Sequence, residues 1–200
     1  MESFREFLTY LENKKDLVRI KEEINPIYGV GRWESKYNGK EAIYLENIIG
    51  YSMPIVAGIF SKRENIAAAL GCSFEQITNK ILDSVDKPGK TNIVKEAPVQ
   101  ELTIKQDINL LKDLPIPKHY EKDNGRYVTS GVILAKDPEK GIRNLSFARM
   151  EVKEKDRINI MINPDRHLLR YFEKAEEKGE SIDIAIIFGA HPAIWLEGAM

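Results

Sequence analysis

The chain is 200 residues long, 42% hydrophobic and 30% charged, with a formal net charge of -1. That length fits one domain or one and a half, and the near-neutral balance argues against a chain built to coat nucleic acid or an acidic membrane surface. No stretch approaches the roughly 20 apolar residues of a membrane span, the N-terminus is too charged for a signal peptide, and the single cysteine, Cys72, permits neither an intrachain disulfide nor a cysteine metal cage and fits a cytoplasmic location.

Phe4, Phe7, Leu8 and Leu11 fall at helical spacing and predict an amphipathic helix over 3–14. A short strand is expected at 17–21. Pro26, Gly29 and Gly31 then break the chain into a loop, and strands at 42–46 and 55–59 flank a turn at 50–54. Ser61 and Glu64 have the capping-box spacing and open a helix that Gly71 ends. Ser73 and Gln76 repeat the device before a second helix reaching about Val85, with Pro88 and Gly89 marking its exit. Cys72 reads as a small buried hydrophobe.

Residues 92–118 form a connector in which Leu110, Leu111, Leu114, Pro115, Ile116 and Pro117 pin the chain by side chains rather than by regular structure. The pattern changes near 115, which divides the chain into an N-terminal α/β domain with its connector over 1–115 and a second domain over 116–200. Strands at 128–136, 144–153 and 157–162, separated by polar turns, point to a barrel or a sandwich. Asn163 and Pro164 are expected to start a helix over 164–178 as N-cap and first helical residue. Leu168, Tyr171, Phe172 and Ala175 are its buried stripe and Gly179 closes it. The apolar run 182–188 reads as a strand buried on both faces. The fold class is therefore mixed α/β (α+β).

Polar residues on the strand-like runs between 127 and 167 are the candidates for chemistry. Asn144 and Ser146 share one side of a regular strand and Arg149 takes the other, so a bulge or strong twist is needed to bring all three to one cavity. Otherwise Arg149 pairs with a surface carboxylate such as Glu151. His167, in the first turn of its helix, is either a structural imidazole or a metal ligand, because a helix N-terminus and Arg166 both favour the neutral ring. One His and one Asn are too few for a strong site, and a hard ion such as Mg or Mn would also need a carboxylate and phosphate oxygens. His191-Pro192 reads as a turn or as a ligand position after a buried strand, His119 as exposed, Asp137–Gly141 as a hairpin turn, and Trp33 and Trp195 as packing residues.

The ordered motifs Pro115-Ile116-Pro117 with His119, Tyr127-Val128-Thr129-Ser130-Gly131, Asp137-Pro138-Glu139 with Gly141, Arg143-Asn144-Leu145-Ser146-Phe147-Ala148-Arg149-Met150, and Ile162-Asn163-Pro164 with His167 resemble the UbiD decarboxylases. The likeness extends to the segment from Ser61 to Gly71 and to Gly189-Ala190-His191-Pro192-Ala193. It implies that the second domain is the first part of a split β-barrel flavin-binding domain. It also implies reversible non-oxidative decarboxylation of an α,β-unsaturated or aromatic carboxylic acid with prenylated FMN.

By the same resemblance, Asn144 and His167 are ligands of a Mn or Mg ion that bridges to the flavin phosphate, and Arg149 lies at the catalytic centre. Thr129, Ser146 and Arg166 lie beside the cofactor. Leu145 and the stretch 197–200 offer carbonyls to a potassium ion. A flavin prenyltransferase would supply the cofactor, and the complete enzyme would be a homo-oligomer. The family's third metal ligand, catalytic acids and a phosphate-binding Lys fall beyond the point matching Met200. The chain is thus expected to be a piece or one half of the enzyme, with a non-catalytic subunit that needs a partner chain as the second reading. The substrate is open among anhydromevalonate phosphate, polyprenyl-hydroxybenzoate and other aromatic acids, and the Lys- and Ile-rich composition leans toward the first.

Overall fold

A computed structural model describes residues 1, 3–87, 89 and 91–199; Pro88 and Met200, both singled out above, lie outside the described residues. The first helix, α1 (Phe4–Asn13), is capped by Ser3, whose Oγ accepts from the Glu6 N–H at 3.2 Å. Its apolar face buries Phe7 and Leu11 completely. Strands β1 (Leu17–Ile24) and β2 (Ala42–Ile48) run parallel, and β3 (Ile55–Ala57) adds antiparallel to β2.

The crossover between β1 and β2 carries a helix, α2 (Gly29–Tyr37), where the sequence predicts a loop. The glycines serve close approach rather than a break: a Cβ on Gly31 would lie 2.8 Å from the His119 carbonyl oxygen. Trp33 and Tyr37 stack at 6.1 Å and pack over Ile20, Ile24, Ile43, Leu45 and Ile48.

Helix α3 (Arg63–Leu70) begins one residue later than the Ser61–Glu64 box requires; Lys62 is its N-cap and no side chain caps it. Lys62 instead pairs with Asp16 and Glu41. The Ser73–Gln76 box does form, ahead of α4 (Ile77–Asp86). Cys72 is half-buried rather than buried.

The connector is irregular apart from a 3-10 turn at Pro98–Gln100 and the single-turn helix α5 (Leu110–Asp113). Leu110, Leu111, Leu114 and Ile116 pack into the second core. Lys118 forms a parallel bridge with Ile27, its carbonyl accepting from the Tyr28 N–H at 2.7 Å and its N–H donating to the Pro26 carbonyl at 3.0 Å. Tyr51 donates to the Leu111 carbonyl and accepts from Arg126 at 2.8 Å.

Among the described residues the second half holds two three-stranded sheets. One is β4 (Tyr127–Val128), β7 (Arg149–Glu154) and β8 (Arg157–Met161), in the order β4-β7-β8. The other is β5 (Val132–Lys136), β6 (Arg143–Phe147) and β9 (Ile184–Ile187), in the order β6-β5-β9. The two long strands expected at 128–136 and 144–153 are each cut where the chain passes from one sheet to the other, at Thr129–Gly131 and at Ala148. Gly131 makes the first crossing possible, since a Cβ there would sit 2.9 Å from Ile186, Met150 and Val128 methyl carbons.

Helix α6 (His167–Glu176) starts three residues after the expected 164, because Asp165 has a φ of 65°, which a right-handed helix cannot contain. It buries Leu168, Tyr171 and Ala175, while Phe172 is exposed. Strand β9 is not buried on both faces. It pairs with β5 alone, Ile184 and Ala185 are exposed, and β6 and β9 leave the sheet open at both edges. Helix α7 (Pro192–Ala199) is capped by His191, whose Nδ1 accepts from the Ala193 N–H at 3.2 Å. It returns Trp195 to the N-terminal core, edge-on to Phe4 at 5.2 Å and to Phe60 at 6.4 Å.

Candidate active site

Antiparallel pairing of β5 with β6 sets Asn144 opposite Ala135 and Ser146 opposite Ile133. Directly opposed residues share a face, so Asn144 and Ser146 lie on the face that buries Ile133 and Ala135 against Leu168 and Tyr171 of α6. The helix start then places His167 over the strand. Its Nδ1 is 3.1 Å from Asn144 Oδ1, and its ring lies nearly parallel to Tyr171 at 6.3 Å. The Asn144 amide nitrogen donates to the Leu145 carbonyl at 3.2 Å, which turns the amide oxygen toward the imidazole. Two residues along, the Ser146 Oγ is buried with no hydrogen-bond partner. A hydroxyl in that state lacks an acceptor or donor worth about 1–3 kcal/mol.

Arg149 lies past the corner at Ala148, exposed, at the start of β7 and opposite Met161. It does not pair with Glu151, which takes Lys153 at 2.7 Å instead. The corner is a change of sheet, neither the bulge nor the strong twist that the alternation left open. The register of Tyr127 with Glu151 and Val128 with Met150, continued by one residue, sets Thr129 level with Arg149. Thr129 is exposed, as is Arg166, which is the N-cap residue of α6 and contributes no side-chain cap. The structure thus brings Asn144, Ser146 and His167 to one face and leaves Thr129 at the first crossing between sheets and Arg149 just past the second.

The chemistry of this donor set fits an anion with a divalent ion. An amide oxygen and an imidazole nitrogen converge, a buried hydroxyl on the same strand face has no partner, and Arg149 and Arg166 have no carboxylate partner among the described residues. Asn144 and His167 would hold the ion, and Ser146, Thr129 and Arg166 are the candidates for the phosphate. No group of three His, Cys, Asp or Glu side chains among the described residues forms a metal site, so protein carboxylates do not complete this one here.

Two residues were undervalued in the sequence. Asp137, read as turn chemistry, is buried, with a relative exposure of 6%. Its Oδ1 accepts the Glu139 and Lys140 N–H groups at 2.8 and 3.0 Å, and its Oδ2 accepts Lys174 Nζ at 3.0 Å. The Lys140 N–H, followed by that of Glu139 and the Lys174 ammonium, holds its pKa down at about 2 against the cost of burial. Only the Asx-turn pattern of Asp-Pro-Glu hinted at it. His119 is not exposed: its ring keeps 14% of its surface and lies 3.4 Å from the Glu34 carboxylate, which raises its pKa.

Comparison with known proteins identifies the family. The 3-octaprenyl-4-hydroxybenzoate carboxy-lyase N-terminal domain of the UbiD family matches residues 8–85, and the Rift-related domain of the same family matches residues 92–200. An anhydromevalonate phosphate decarboxylase of Methanothermobacter thermautotrophicus is 38% identical over 157 residues, 78% of this chain and 36% of the relative. A phenolic acid decarboxylase of Sedimentibacter hydroxybenzoicus is 31% identical, with 95% of this chain and 43% of the relative covered. The UbiD-class enzyme HmfF of Pelotomaculum thermopropionicum, solved in complex with prFMN, superposes with a TM-score of 0.93 at 38% identity, over 96% of this chain and 45% of the enzyme. The vanillic acid decarboxylase of Sedimentibacter hydroxybenzoicus in its closed form superposes at 0.90 with 28% identity, over 100% and 45%. The chain spans less than half the length of these relatives. With both family domains matched in order along nearly its whole length, the chain belongs to the UbiD family.

Proposed function

We propose that this chain supplies the metal and cofactor-phosphate side of a decarboxylase that acts on an α,β-unsaturated or aromatic carboxylic acid with prenylated FMN. The observation that carries the reading is the convergence of Asn144 Oδ1 and His167 Nδ1 at 3.1 Å, beside the buried and unpartnered Ser146 hydroxyl. Prenylated FMN, when bound, supplies the electron sink for loss of carbon dioxide. Asn144 and His167 would hold a Mn or Mg ion that neutralises the flavin phosphate, and Ser146, Thr129 and Arg166 would supply hydrogen-bond donors to that phosphate. Arg149, whose guanidinium has no carboxylate partner among the described residues, orients the substrate carboxylate through its planar pair of donors. A potassium ion at the Leu145 carbonyl and the stretch 197–200 belongs to the same reading; Gly198 of α7 packs by Val132 and Phe147, on the far face of the same sheet.

The division into an α/β domain over 1–115 and an incomplete flavin-binding domain over 116–200 is part of the proposal. Its support is that the buried residues fall into clusters on either side of 115, with Leu110, Leu111 and Leu114 joining the second and Trp195 and Leu196 the first. The anhydromevalonate phosphate decarboxylases among the relatives favour a phosphorylated unsaturated acid over a free phenolic acid. A cytoplasmic location, a flavin prenyltransferase as cofactor source and a homo-oligomeric enzyme complete the reading. Among the described residues no helix is long and apolar enough to cross a membrane.

The test is Mn2+ binding to the FMN-loaded full-length enzyme that carries this segment. Asn144→Ala and His167→Ala should each weaken it at least tenfold. Retention of wild-type affinity by both variants would falsify the assignment. A second reading, a subunit completed by a partner chain, is favoured by the open edges of β6 and β9. Mixing this chain with one carrying the rest of the family sequence should then restore FMN binding, and no gain on mixing removes that reading.

A further inference from the structure

We infer that Lys174, clamped by Asp137 and Glu139, is a positioning residue for the Asn144–His167 pair: it fixes where α6 sits along the β5–β6 hairpin and so sets the spacing of the two ligand atoms. The inference rests on the metal reading above.

Helix α6 lies on the hairpin through Leu168, Tyr171 and Ala175. Apolar contact is non-directional, so this stripe fixes which face of the helix turns inward but resists axial sliding weakly. Directional contacts lie along one edge of the helix. His167 and Lys174 are seven residues and so two turns apart on one edge of α6, and Lys178 follows four residues on, just past the helix end. His167 meets Asn144 on β6 at 3.1 Å. Lys174 Nζ meets Asp137 Oδ2 and Glu139 Oε2 at 3.0 Å each, and Lys178 meets Glu139 at 3.5 Å. Asp137 and Glu139 stand in the turn of the hairpin whose second strand carries Asn144.

The spans on the two elements are of the same order. From His167 to Lys174 the helix rises roughly 10 Å. From Ala135, which faces Asn144, to Asp137 the strand advances roughly 7 Å. The long lysine side chain covers the difference. Asp137 is rigid enough to serve as the fixed end, since it is buried and two backbone N–H groups hold its Oδ1. A burial of that kind is retained only when the charge is paired, and the partner is Lys174. Displacement of α6 by about an ångström would part a ligand pair that a metal needs within a few tenths of one.

The experiment titrates Mn2+ into the FMN-loaded full-length enzyme carrying this segment, with free Mn2+ followed by electron paramagnetic resonance and the thermal midpoint recorded for each variant. Lys174→Met should weaken Mn2+ binding about tenfold, and Lys174→Arg should return it to within threefold of wild type. Ile20→Val, in the N-terminal sheet, serves as a destabilised control and should leave Mn2+ affinity unchanged. If Lys174→Met binds Mn2+ within twofold of wild type while Asn144→Ala does not bind it, the clamp is overturned and the metal site stands. Equal weakening by Ile20→Val makes the effect general instability and also overturns the clamp. If Asn144→Ala binds Mn2+ as wild type does, the clamp and the metal reading fall together.

Discussion

Arg149 and His119 show how far single side chains carry the argument. Arg149 has no partner carboxylate among the described residues, since Glu151 is taken by Lys153. Arg149→Ala in the full-length enzyme should therefore lower turnover more than a hundredfold, about 2.7 kcal/mol or more of transition-state stabilisation, while FMN stays bound. Activity within threefold of wild type would show that the guanidinium does not orient the substrate. The His119 ring pairs with Glu34, with Asp123 adding to the field, and both favour the protonated form. Its stabilisation is complete below the ordinary histidine value of about 6.5 and is lost as the pH rises through the raised folded-state value. The thermal midpoint difference between wild type and Glu34→Gln should accordingly be largest near pH 5.5 and shrink by pH 9. A difference constant over that range would mean that the pair is not ionic. Neither outcome was readable beforehand, because whether a strand arginine or a loop histidine finds a carboxylate depends on residues distant in sequence.

At the scale of elements, the two crossings between sheets decide the shape of the site. Gly131 permits the first, with Val128, Met150 and Ile186 each 2.9 Å from where a Cβ would stand. Two of the three contacts are methyls of β-branched residues, whose rotamers yield little. Gly131→Ala should cost about 1–3 kcal/mol by overpacking, measured by denaturant unfolding. An unchanged midpoint would mean that the corner absorbs a methyl freely. Helix α1, with its Ser3 cap and apolar stripe, and the Ser73–Gln76 box ahead of α4 were legible from spacing alone. The corner at Ala148 was not, since period-two alternation continues through it and the choice of sheet is made by pairing partners. The helix α2 was hidden for a related reason. Its glycines look like breakers until Gly31 is seen against the His119 backbone. The acid dependence of the hairpin also belongs here. Asp137, with its pKa at about 2, stabilises the β5–β6 turn above the usual carboxylate range near 3.9, and this is lost as pH falls through 2.

For the molecule as a whole, unpaired edges and exposed apolar side chains are the dominant feature. Ile93, Val99 and Leu102 of the connector are 88%, 85% and 79% exposed, and Ile184 and Phe188 stand open at the β9 edge. Apolar surface and free strand edges of this kind drive association. The 200-residue chain should therefore elute above its 22.9 kDa monomer mass in light scattering, and the substitutions Ile93→Asp and Leu102→Glu together should shift it toward the monomer. A monodisperse monomer before substitution would contradict this. The motif order from Pro115 to His167 pointed to the family without any structure. The open edges could not be read, because the run 182–188 has the same composition whether or not a neighbour covers it.

The contact of Trp195 with Phe4 and Phe60 has a further consequence, for how the chain is made. Together with the hydrogen-bonding contact between His191 and the Met1 carbonyl, 190 positions apart, it ties the segment around α1 to a helix synthesised almost two hundred residues later. At about 5–20 residues per second on a ribosome, the face of α1 that receives the indole waits for something on the order of ten seconds or more after it emerges. During that interval Phe4 and Phe60 lack their last neighbour, and a nascent-chain binder has its longest opportunity there.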